Sequence, residues 1–493
     1  MRDDDIRSRL RESNPWWRAT ATGSDPTAWT GPDQVLKKRQ PYDLGYRPDT
    51  LADVATGDID DKLVILRGPR RVGKSVLLKD TAATLCARTD ISPFQVIYLA
   101  ADGMNKSDIG RALRLGRSLT EPADSGEPSR RVWLLDEVSA IKGWTEQVKY
   151  ERDQTSFGDD TVVCTGSSWS DEDEDNAERD LGAGRAGEAS EIRIRLLLPM
   201  RFRDILLATG ASSDLPAIVE PWDMRSDAAR KTAITLSYDV DNLDLRWQAY
   251  LESGGFPRAV AEYAGAGAVS KSFLKDLELW LHQDVDRDAA ADSVPRLLAE
   301  LAARSTSPLN ARDAAETLGY AHRDTFITRI NRLIRCFACL PCPQVDDSGT
   351  PAPGTQAKYY LTDPLLAWLG SHLRAGLRAP EHPHLSEGAL ATALAAASER
   401  YEPGRWLTKE AIGYVRTGGN KEVDFAPMPL RSDSGVHRTT PVESKWVDMG
   451  WRSEARVMEG RFPSDGILAT KRITDFDNAA WAIPAPVLAI LLG

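Results

Sequence analysis

The residues from Gly68 to Ser75 read GPRRVGKS, a glycine-rich stretch that ends in a lysine and a hydroxyl side chain. Glycines at both ends permit a tight loop whose backbone N–H groups point inward and attract an anion. Lys74 is placed to reach the β- and γ-phosphates of a nucleotide, and the Ser75 hydroxyl is placed to bind magnesium. The spacing G-x-x-x-x-G-K-S therefore predicts a loop that binds ATP together with Mg²⁺.

The predicted nucleotide contacts cover this loop and the residue after it, namely Gly68, Pro69, Arg70, Arg71, Val72, Gly73, Lys74, Ser75 and Val76. Taken alone, a loop of this composition also arises by chance. A second signal argues against chance, because the apolar strand VWLLDE carries Asp136 and Glu137 to its C-terminal end. In a nucleotide site, Asp136 would hold the magnesium shell and Glu137 would be the catalytic residue that polarises the attacking water.

Two further positions would sense the nucleotide. The strand TVVCTGSS ends in polar residues, and Ser167 lies where a γ-phosphate sensor would sit. Arg185, in the glycine-rich segment GAGRAG, is the candidate for an arginine that senses the nucleotide state or acts as an arginine finger. Its alternative is a loop arginine that pairs with the run Asp171–Asp180, which holds seven acids and one arginine. Such a run ordinarily forms a solvated loop.

Near the C-terminus, charged residues alternate along two predicted strands. Glu443 and Lys445 lie two residues apart in PVESKW and so share a face, and Asp424 of KEVDFAP can meet them across a hairpin. Two carboxylates that bind Mg²⁺ beside a lysine that orients water form a workable site for phosphodiester hydrolysis. These three residues are therefore predicted to be catalytic, with Asp424 and Glu443 as metal ligands. The alternative is the ordinary charge alternation of a solvated sheet face.

The segment from Val294 to Leu340 is locally basic, with seven arginines and four acids. Its pattern reads helix, turn, helix, and a strand leading into a helix follows, which predicts a winged helix-turn-helix. The side chains that could face a DNA groove or backbone are Arg323, Thr325, Thr328, Arg329 and Arg332. The alternative is that these arginines form salt bridges to the ATPase domain.

Cys336, Cys339 and Cys342 have the spacing C-x₂-C-x₂-C, which occurs in iron–sulfur ligation. A complete site needs a fourth ligand, and the other two cysteines lie far away in sequence. Cysteine also packs well as a small apolar residue in a buried strand. We therefore predict that these cysteines belong to the core.

With 493 residues, the chain exceeds what one hydrophobic core usually serves, and its 42% hydrophobic and 27% charged residues are ordinary for a globular protein. The net charge of −11 argues mildly against nucleic acid as a partner, although the acidic run contributes −6 of it. No stretch resembles a membrane span or a signal peptide, and five cysteines do not make a disulfide framework. A cytoplasmic location is expected.

Short apolar strands alternate with helices, which predicts an α/β fold with a covered sheet. Residues 1–50 are expected to form a Trp-containing N-terminal extension with little regular structure, and residues 51–215 the ATPase domain. A helical lid-like region over 216–290 and the winged helix-turn-helix over 291–380 follow. Residues 381–493 are expected to form a last α/β domain that carries the C-terminal carboxylates.

The chain resembles the prokaryotic AAA-type P-loop ATPases whose C-terminal half is a restriction-endonuclease-like domain of the PD-(D/E)xK kind. The resemblance is carried by GPRRVGKS, VWLLDEV, TGSS, LLLPMRFRDIL, YLESGGFPRAV, KYYLTDPLLAWL, KEVDFAP and PVESKW. It implies that Glu387, at the start of the first C-terminal helix, adds a further acid to the metal ligands. The acidic insertion and the Trp-rich N-terminal stretch depart from the pattern.

Together these observations predict an ATPase that couples the hydrolysis of Mg-ATP to the engagement of nucleic acid, expected to be DNA, with Mg²⁺-dependent cleavage by the C-terminal domain. AAA-type sites often need an arginine from a neighbouring subunit, so a homo-oligomer is also expected. A competing interpretation is a nucleotide-gated DNA-binding regulator or scaffold whose nuclease-like domain is inactive. A third interpretation is a transcription factor that uses only the winged helix.

Overall fold

A computed structural model describes residues 1–120, 130–167, 194–211, 214–287, 292–417 and 421–493 of this chain. These residues divide into two compact units. The first unit holds residues 1–43 and 47–197, and the second holds residues 44–46 and 198–493. Arg185 and the acidic run lie outside the described residues. No helix in the described part of the chain is long and apolar enough to cross a bilayer.

The first unit is built on a five-stranded parallel sheet. Its strands are β1 (Lys62–Arg67), β2 (Val96–Ala100), β3 (Val132–Asp136), β4 (Thr161–Gly166) and β5 (Ile194–Leu196). They lie in the order β2-β3-β4-β1-β5. Every residue of β1, β3 and β4 is buried, which is expected of parallel strands whose two faces are both covered. The parallel α/β sheet predicted from the alternating apolar runs is therefore present.

Helices precede and follow these strands. They are α1 (Asp3–Ser13), α2 (Pro15–Ala21), α3 (Gln34–Arg39), α4 (Ala52–Thr56), α5 (Lys74–Ala87), α6 (Lys106–Thr120) and α7 (Trp144–Gln154). The glycine-rich loop joins β1 directly to α5, as the sequence predicts. Because parallel strands end at the same edge of a sheet, the residues after β1, β3 and β4 come together there.

The N-terminal segment is largely helical, so the expectation of little regular structure was wrong. It covers β2, which is an edge strand of the sheet. The Asn14 side chain accepts a hydrogen bond from the Tyr98 N–H at 2.6 Å and donates to the Tyr98 carbonyl at 2.8 Å. The indole N–H groups of Trp16 and Trp17 both donate to the Val96 carbonyl, at 2.9 and 3.0 Å. These side chains satisfy backbone groups that an edge strand otherwise leaves unpaired.

The second unit begins with a run of helices. They are α8 (Phe202–Ala208), α9 (Asp227–Ser237), α10 (Val240–Ser253), α11 (Pro257–Ala266), α12 (Lys271–Val285), α13 (Ser293–Arg304), α14 (Ala311–Thr317), α15 (Arg323–Arg335) and α16 (Pro364–Leu373). An antiparallel hairpin of β6 (Cys339–Pro343) and β7 (Ala357–Leu361) separates α15 from α16. This order of elements agrees with the predicted helix-turn-helix and hairpin, and its assignment as a winged helix stays a prediction.

The turn between α10 and α11 shows why two glycines follow each other in the segment SGGFP. Gly254 has a φ of 64°, and a Cβ on Gly255 would lie 1.8 Å from the Met200 carbonyl oxygen. The Gly255 N–H donates to Asp363 at 2.7 Å, and Asp363 also caps α16 by accepting from the Leu365 N–H at 2.9 Å. Glycine is required here because the backbone of another segment approaches so closely.

The C-terminal part of the second unit combines helices with short strands. They are α17 (His382–Tyr401), α18 (Arg405–Thr408), β8 (Val415–Arg416), β9 (Glu422–Val423), β10 (Pro429–Ser432), β11 (Gly435–Arg438), β12 (Val442–Ser444), α19 (Trp451–Glu454), α20 (Arg456–Arg461), β13 (Ile467–Thr470), β14 (Trp481–Pro484) and α21 (Ala485–Leu492). β12, β13 and β14 form a parallel sheet, and β8 and β9 are antiparallel. A β-bridge between Phe425 and Val442 pairs the segment after β9 with β12 in the antiparallel direction. The two strands predicted at KEVDFAP and PVESKW are present as β9 and β12, and both are shorter than expected.

Replacing Asn14 with alanine is expected to expose the outer edge of β2. The substitution removes both bonds to Tyr98, and leaving such buried backbone groups unsatisfied costs roughly 1–3 kcal/mol each. Hydrogen exchange followed by mass spectrometry should show faster exchange in the peptide containing Tyr98. Asn242→Ala is the matched control, because Asn242 is exposed on α10 and bonds to the exposed side chains of Asp239 and Arg246. Equal exchange rates in the two variants would contradict this account of the edge.

Candidate functional site

The loop between β1 and α5 has the backbone conformation that its glycines suggest. Gly68 and Gly73 have φ of 150° and 102°, values that side chains rarely allow. A Cβ on Gly68 would lie 1.9 Å from the Leu197 carbonyl oxygen, so glycine is required at this position. Gly73 caps α5 without a side-chain hydrogen bond, which leaves the first amides of the helix facing the loop. Amides at a helix start are suited to binding phosphate oxygens.

Lys74 is the first residue of α5, and its side chain is buried against the loop. Its ammonium group donates to the carbonyl oxygens of Gly68 and Pro69, both at 2.9 Å. Burial lowers the pKa of Lys74 to about 8, although the negative charges of Glu137 and Asp136 act in the opposite direction. An ammonium group held by the loop's own carbonyls is well placed to exchange them for phosphate oxygens.

Asp136 ends β3, and hydroxyl groups from both neighbouring strands fix its carboxylate. Thr165 of β4 donates to Oδ1 at 2.7 Å, and Tyr98 of β2 donates to Oδ2 at 2.8 Å. The Thr165 hydroxyl oxygen also accepts the Glu137 N–H at 2.8 Å. Tyr98 was not predicted as a partner of Asp136, because a tyrosine inside an apolar strand is too common to indicate a function.

Glu137 follows β3 in a left-handed backbone conformation, with φ of 54°. This conformation is uncommon for a residue with a side chain and occurs often at functional sites. The Ser167 hydroxyl, just after β4, donates to Glu137 Oε2 at 3.2 Å. The structure thus brings together the residues predicted to polarise water and to sense the γ-phosphate. Their roles stay predictions.

The second candidate site is an open cavity of about 290 Å³ in the second unit. Its lining includes Glu387 of α17, Glu422, Asp424, Ser444, Lys445 and Trp446. The Ser444 N–H donates to Asp424 Oδ2 at 2.9 Å, so Asp424 lies beside the strand that carries Glu443 and Lys445. Lys445 Nζ lies 3.1 Å from Glu443 Oε1. Three of the four residues predicted from sequence therefore line one cavity, and the fourth, Glu443, contacts Lys445.

A lysine that was not predicted from the sequence contacts the acids of this cavity. Lys358 of β7 is fully buried, and its Nζ lies 2.8 Å from both Asp424 Oδ1 and Glu422 Oε1. Glu387 Oε1 lies 3.6 Å from the same nitrogen. Glu422 could have been found, since it precedes Asp424 by two residues in a predicted strand and so shares its face. Lys358 gave no local signal.

The buried carboxyl groups of the cavity hold protons more tightly than usual. Burial, reinforced by the nearby charge of Asp424, raises the pKa of Glu387 to about 8 against the opposing effect of Lys358. Burial likewise raises the pKa of Glu443 to about 7, although Lys445 opposes it. Among the residues that the structure describes, no group of three or more Asp, Glu, His or Cys could hold a metal ion. Metal ligation by Glu387, Asp424 and Glu443 stays a prediction.

The arginines proposed to face DNA divide into two sets. Arg329 lies 2.5 Å from Asp286 and 4.1 Å from the centre of the Tyr320 ring, and Arg332 donates to the Val285 carbonyl at 2.9 Å. Both arginines therefore fasten α15 to the C-terminal end of α12. Arg323 and Thr328 are exposed, and Thr325 is half-buried. A DNA-facing role stays a prediction for these residues.

The three clustered cysteines are core residues. Cys336, Cys339 and Cys342 are all buried, as free thiols, and burial raises the pKa of each thiol well above its usual range. A raised pKa disfavours the thiolate form that binds metals. The described surroundings of these residues thus agree with the prediction that they pack in the core.

Comparisons with known proteins match two parts of the chain. Residues 60–206 match a family described as an AAA domain, and residues 244–374 match a domain of unknown function, DUF8612. Residues 60–206 form an AAA-type P-loop ATPase domain. The two matches end before the C-terminal carboxylates, so the nuclease-like assignment of that region stays a prediction. No curated protein matches the chain.

Several solved structures are similar over part of the chain. The Walker-type ATPase PABY2304 of Pyrococcus abyssi is 14% identical, with a TM-score of 0.35, over 63% of this chain and 91% of that one. The RuvB Holliday junction branch migration motor of Thermotoga maritima is 15% identical, with a TM-score of 0.26, over 63% of this chain and 89% of that one. A Thermotoga maritima protein related to the DNA polymerase III gamma subunit is 11% identical, with a TM-score of 0.22, over 60% of this chain and 99% of that one. These scores are too low to support an inference about function.

The pKa of Lys74 predicts how nucleotide binding depends on pH. A triphosphate favours the charged ammonium, so ATP should bind with proton uptake above pH 8, where the free lysine is largely neutral. ATP affinity should fall by up to about ten-fold per pH unit above that pH. Calorimetry at pH 9 in two buffers of different ionisation enthalpy measures the uptake.

Lys74→Arg is the control, because a guanidinium group stays protonated throughout this range. Its proton uptake at pH 9 should be smaller than that of the parent protein. The same uptake in both proteins would show that another group titrates.

Proposed function

We propose that this protein is a Mg²⁺-dependent ATPase whose nucleotide cycle controls the engagement of nucleic acid. The single observation that carries the ATPase part is the fixed carboxylate of Asp136, held by Thr165 and Tyr98 at the sheet edge where the loop presents Lys74. A P-loop, a buried lysine and an oriented acid are the parts that phosphoryl transfer requires.

The residues present fit Mg-ATP. Gly68 and Gly73 adopt backbone conformations that other residues rarely allow, and Lys74 would present its ammonium group to the phosphates. Ser75, in the first turn of α5, and Asp136 would hold the magnesium ion. Magnesium bound there would neutralise charge on the phosphates. Glu137 would orient and polarise the attacking water while Ser167 holds its carboxylate.

Nucleic-acid engagement is supported by the basic segment from Val294 to Leu340 and by the order of its helices and hairpin. Arg323 and Thr328 are exposed on α15 and are the side chains we propose for contact with DNA. Arg185, which lies outside the described residues, is our candidate for an arginine that completes the site of a neighbouring subunit. Mg²⁺-dependent cleavage would then belong to the cavity around Asp424.

A second candidate function is a nucleotide-gated regulator or scaffold without nuclease activity. The contacts of Lys358 favour it, because an ammonium group already neutralises Asp424 and Glu422. The hairpin β6–β7 is also joined to the C-terminal region, where Val345 N–H donates to the Tyr414 carbonyl at 2.8 Å. A hairpin fastened in this way is less free to act as a DNA-contacting wing.

Glu137→Gln should separate hydrolysis from binding. The amide keeps the size of the side chain but cannot accept a proton from water, so kcat should fall by about 10²-fold or more. Mg-ATP affinity should change little, whereas Lys74→Ala should abolish binding. Turnover by phosphate release and binding by a fluorescent nucleotide measure the two effects.

Glu146→Gln is the matched control, because Glu146 is exposed on α7 and pairs with Lys106. It should turn over at the parent rate. Full turnover in Glu137→Gln would remove Glu137 from the mechanism, and unchanged ATP binding in Lys74→Ala would overturn the nucleotide site itself.

Lys445→Ala decides between cleavage and scaffolding. Lys445 is about one-third exposed, so its removal should leave folding and ATPase activity intact. If the cavity is a nuclease, plasmid incubated with protein, Mg²⁺ and ATP should be nicked by the parent and left intact by the variant. Lys421→Ala, which removes an exposed lysine just before β9, should cleave like the parent. Absence of nicking by the parent on every DNA substrate would favour the scaffold.

A further inference from the structure

Lys358 projects from one face of β7 into the carboxylate cluster of the second candidate site. Alternate residues of a strand share a face, and Tyr360 follows Lys358 on the same side. The Tyr360 hydroxyl donates to Glu387 Oε1 at 2.7 Å, while Lys358 contacts Asp424 and Glu422. Two consecutive inward-facing positions of β7 thus engage three acids from α17 and from the segment that includes β9.

The Lys358 ammonium nitrogen lies between carboxylates, in a place of the kind that a metal ion would occupy. It lies at 2.8 Å from two carboxylates and 3.6 Å from a third, with none of its side chain exposed. Mg²⁺ and Ca²⁺ occupy similar places between carboxylate oxygens, at about 2.0–2.6 Å. An ammonium group and a metal ion cannot share this space, because both would be bound by the same oxygens of Asp424 and Glu422.

Lys358 is fully buried, and its strand is held in place by β6 and by contacts with Tyr414. Its strand pairs with β6 over its whole length, with Cys342 opposite Lys358. The Tyr414 N–H donates to the Pro343 carbonyl at 2.9 Å, and the Tyr414 hydroxyl donates to the Gln356 carbonyl at 2.8 Å. Displacement of the ammonium group therefore requires movement of the hairpin β6–β7.

One buried carboxylate oxygen next to Lys445, which lines the cavity, lacks a hydrogen-bond partner. Glu443 Oε2 is buried and accepts no hydrogen bond among the described residues, although its partner oxygen Oε1 lies 3.1 Å from Lys445. A buried carboxylate oxygen without a partner is costly, which makes it a ready acceptor for a cation or a proton. Glu443 therefore adds an unpaired acceptor oxygen next to Lys445.

We infer that Lys358 is an internal counter-ion that excludes divalent cations from the cluster of Glu387, Glu422 and Asp424 while the hairpin β6–β7 stays in place. The cavity would then bind no Mg²⁺, and could not support Mg²⁺-dependent chemistry, until the hairpin moves. This inference rests on the proposed cleavage only for the choice of cation. It concerns metal binding and holds whether or not the cavity cleaves DNA.

The test is Mn²⁺ binding to the full chain without nucleotide, measured by electron paramagnetic resonance. Lys358→Met keeps the length of the side chain and removes its charge, so the freed oxygens should bind Mn²⁺ about ten-fold or more tightly than the parent. Asp424→Asn in the same variant should cancel the gain. Lys275→Met, which removes a lysine from the exposed face of α12, is the charge-matched control and should leave affinity unchanged.

Lys358→Met leaves three acids without their partner and is expected to melt at a lower temperature, with recovery on addition of Mn²⁺ that the parent does not show. If the variant fails to fold, the parent and Asp424→Asn decide the question by themselves. Mn²⁺ binding by the parent that is insensitive to Asp424 supports the inference. Binding that Asp424→Asn abolishes, or a folded Lys358→Met without tighter binding, overturns it.

Discussion

A buried charge must be surrounded by groups of opposite polarity, because removing an ion from water costs several kcal/mol even after the protein relaxes. Both candidate sites of this chain are organised around such a charge. In the ATPase domain the buried ammonium of Lys74 is held by loop carbonyls, which are weak partners that phosphate can replace. In the second unit Lys358 is held by carboxylates, which bind an ammonium group more strongly than carbonyl oxygens do. A buried lysine therefore leaves the first site able to bind an anion, whereas in the second site it occupies the place of a cation.

The supporting structure explains how each lysine is kept in place. Lys74 is fixed because β1 and α5 are joined by a tight loop that requires glycine at position 68, where Leu197 approaches. Asp136 is fixed because hydroxyl groups from the strands on either side of β3 bond its two oxygens. Lys358 is fixed by the hairpin, which is anchored through Tyr414 to the C-terminal region. Each site thus depends on contacts that also hold the surrounding fold together.

Features formed by residues close together in the sequence could be predicted, and contacts between residues far apart in the sequence could not. The phosphate-binding loop and the strand ending in Asp136 are continuous segments, so their residue types alone indicated the ATPase domain. Tyr98 bonds Asp136 across 38 residues, Lys358 bonds Asp424 across 66, and Asn14 bonds Tyr98 across 84. No spacing rule links such pairs. The N-terminal extension was misjudged for this reason, since its tryptophans and Asn14 make sense only against a strand that comes later.

The covered edge of β2 has a consequence for how the protein behaves in a crowded solution. Asn14, Trp16 and Trp17 occupy the backbone positions that an incoming strand would need. Sheet growth by strand exchange or fibril formation is therefore blocked along this side while α1 and α2 stay in place. Proteolytic removal of about the first twenty residues would expose the edge of β2 and make the protein prone to aggregation, even though the nucleotide-binding loop remained intact.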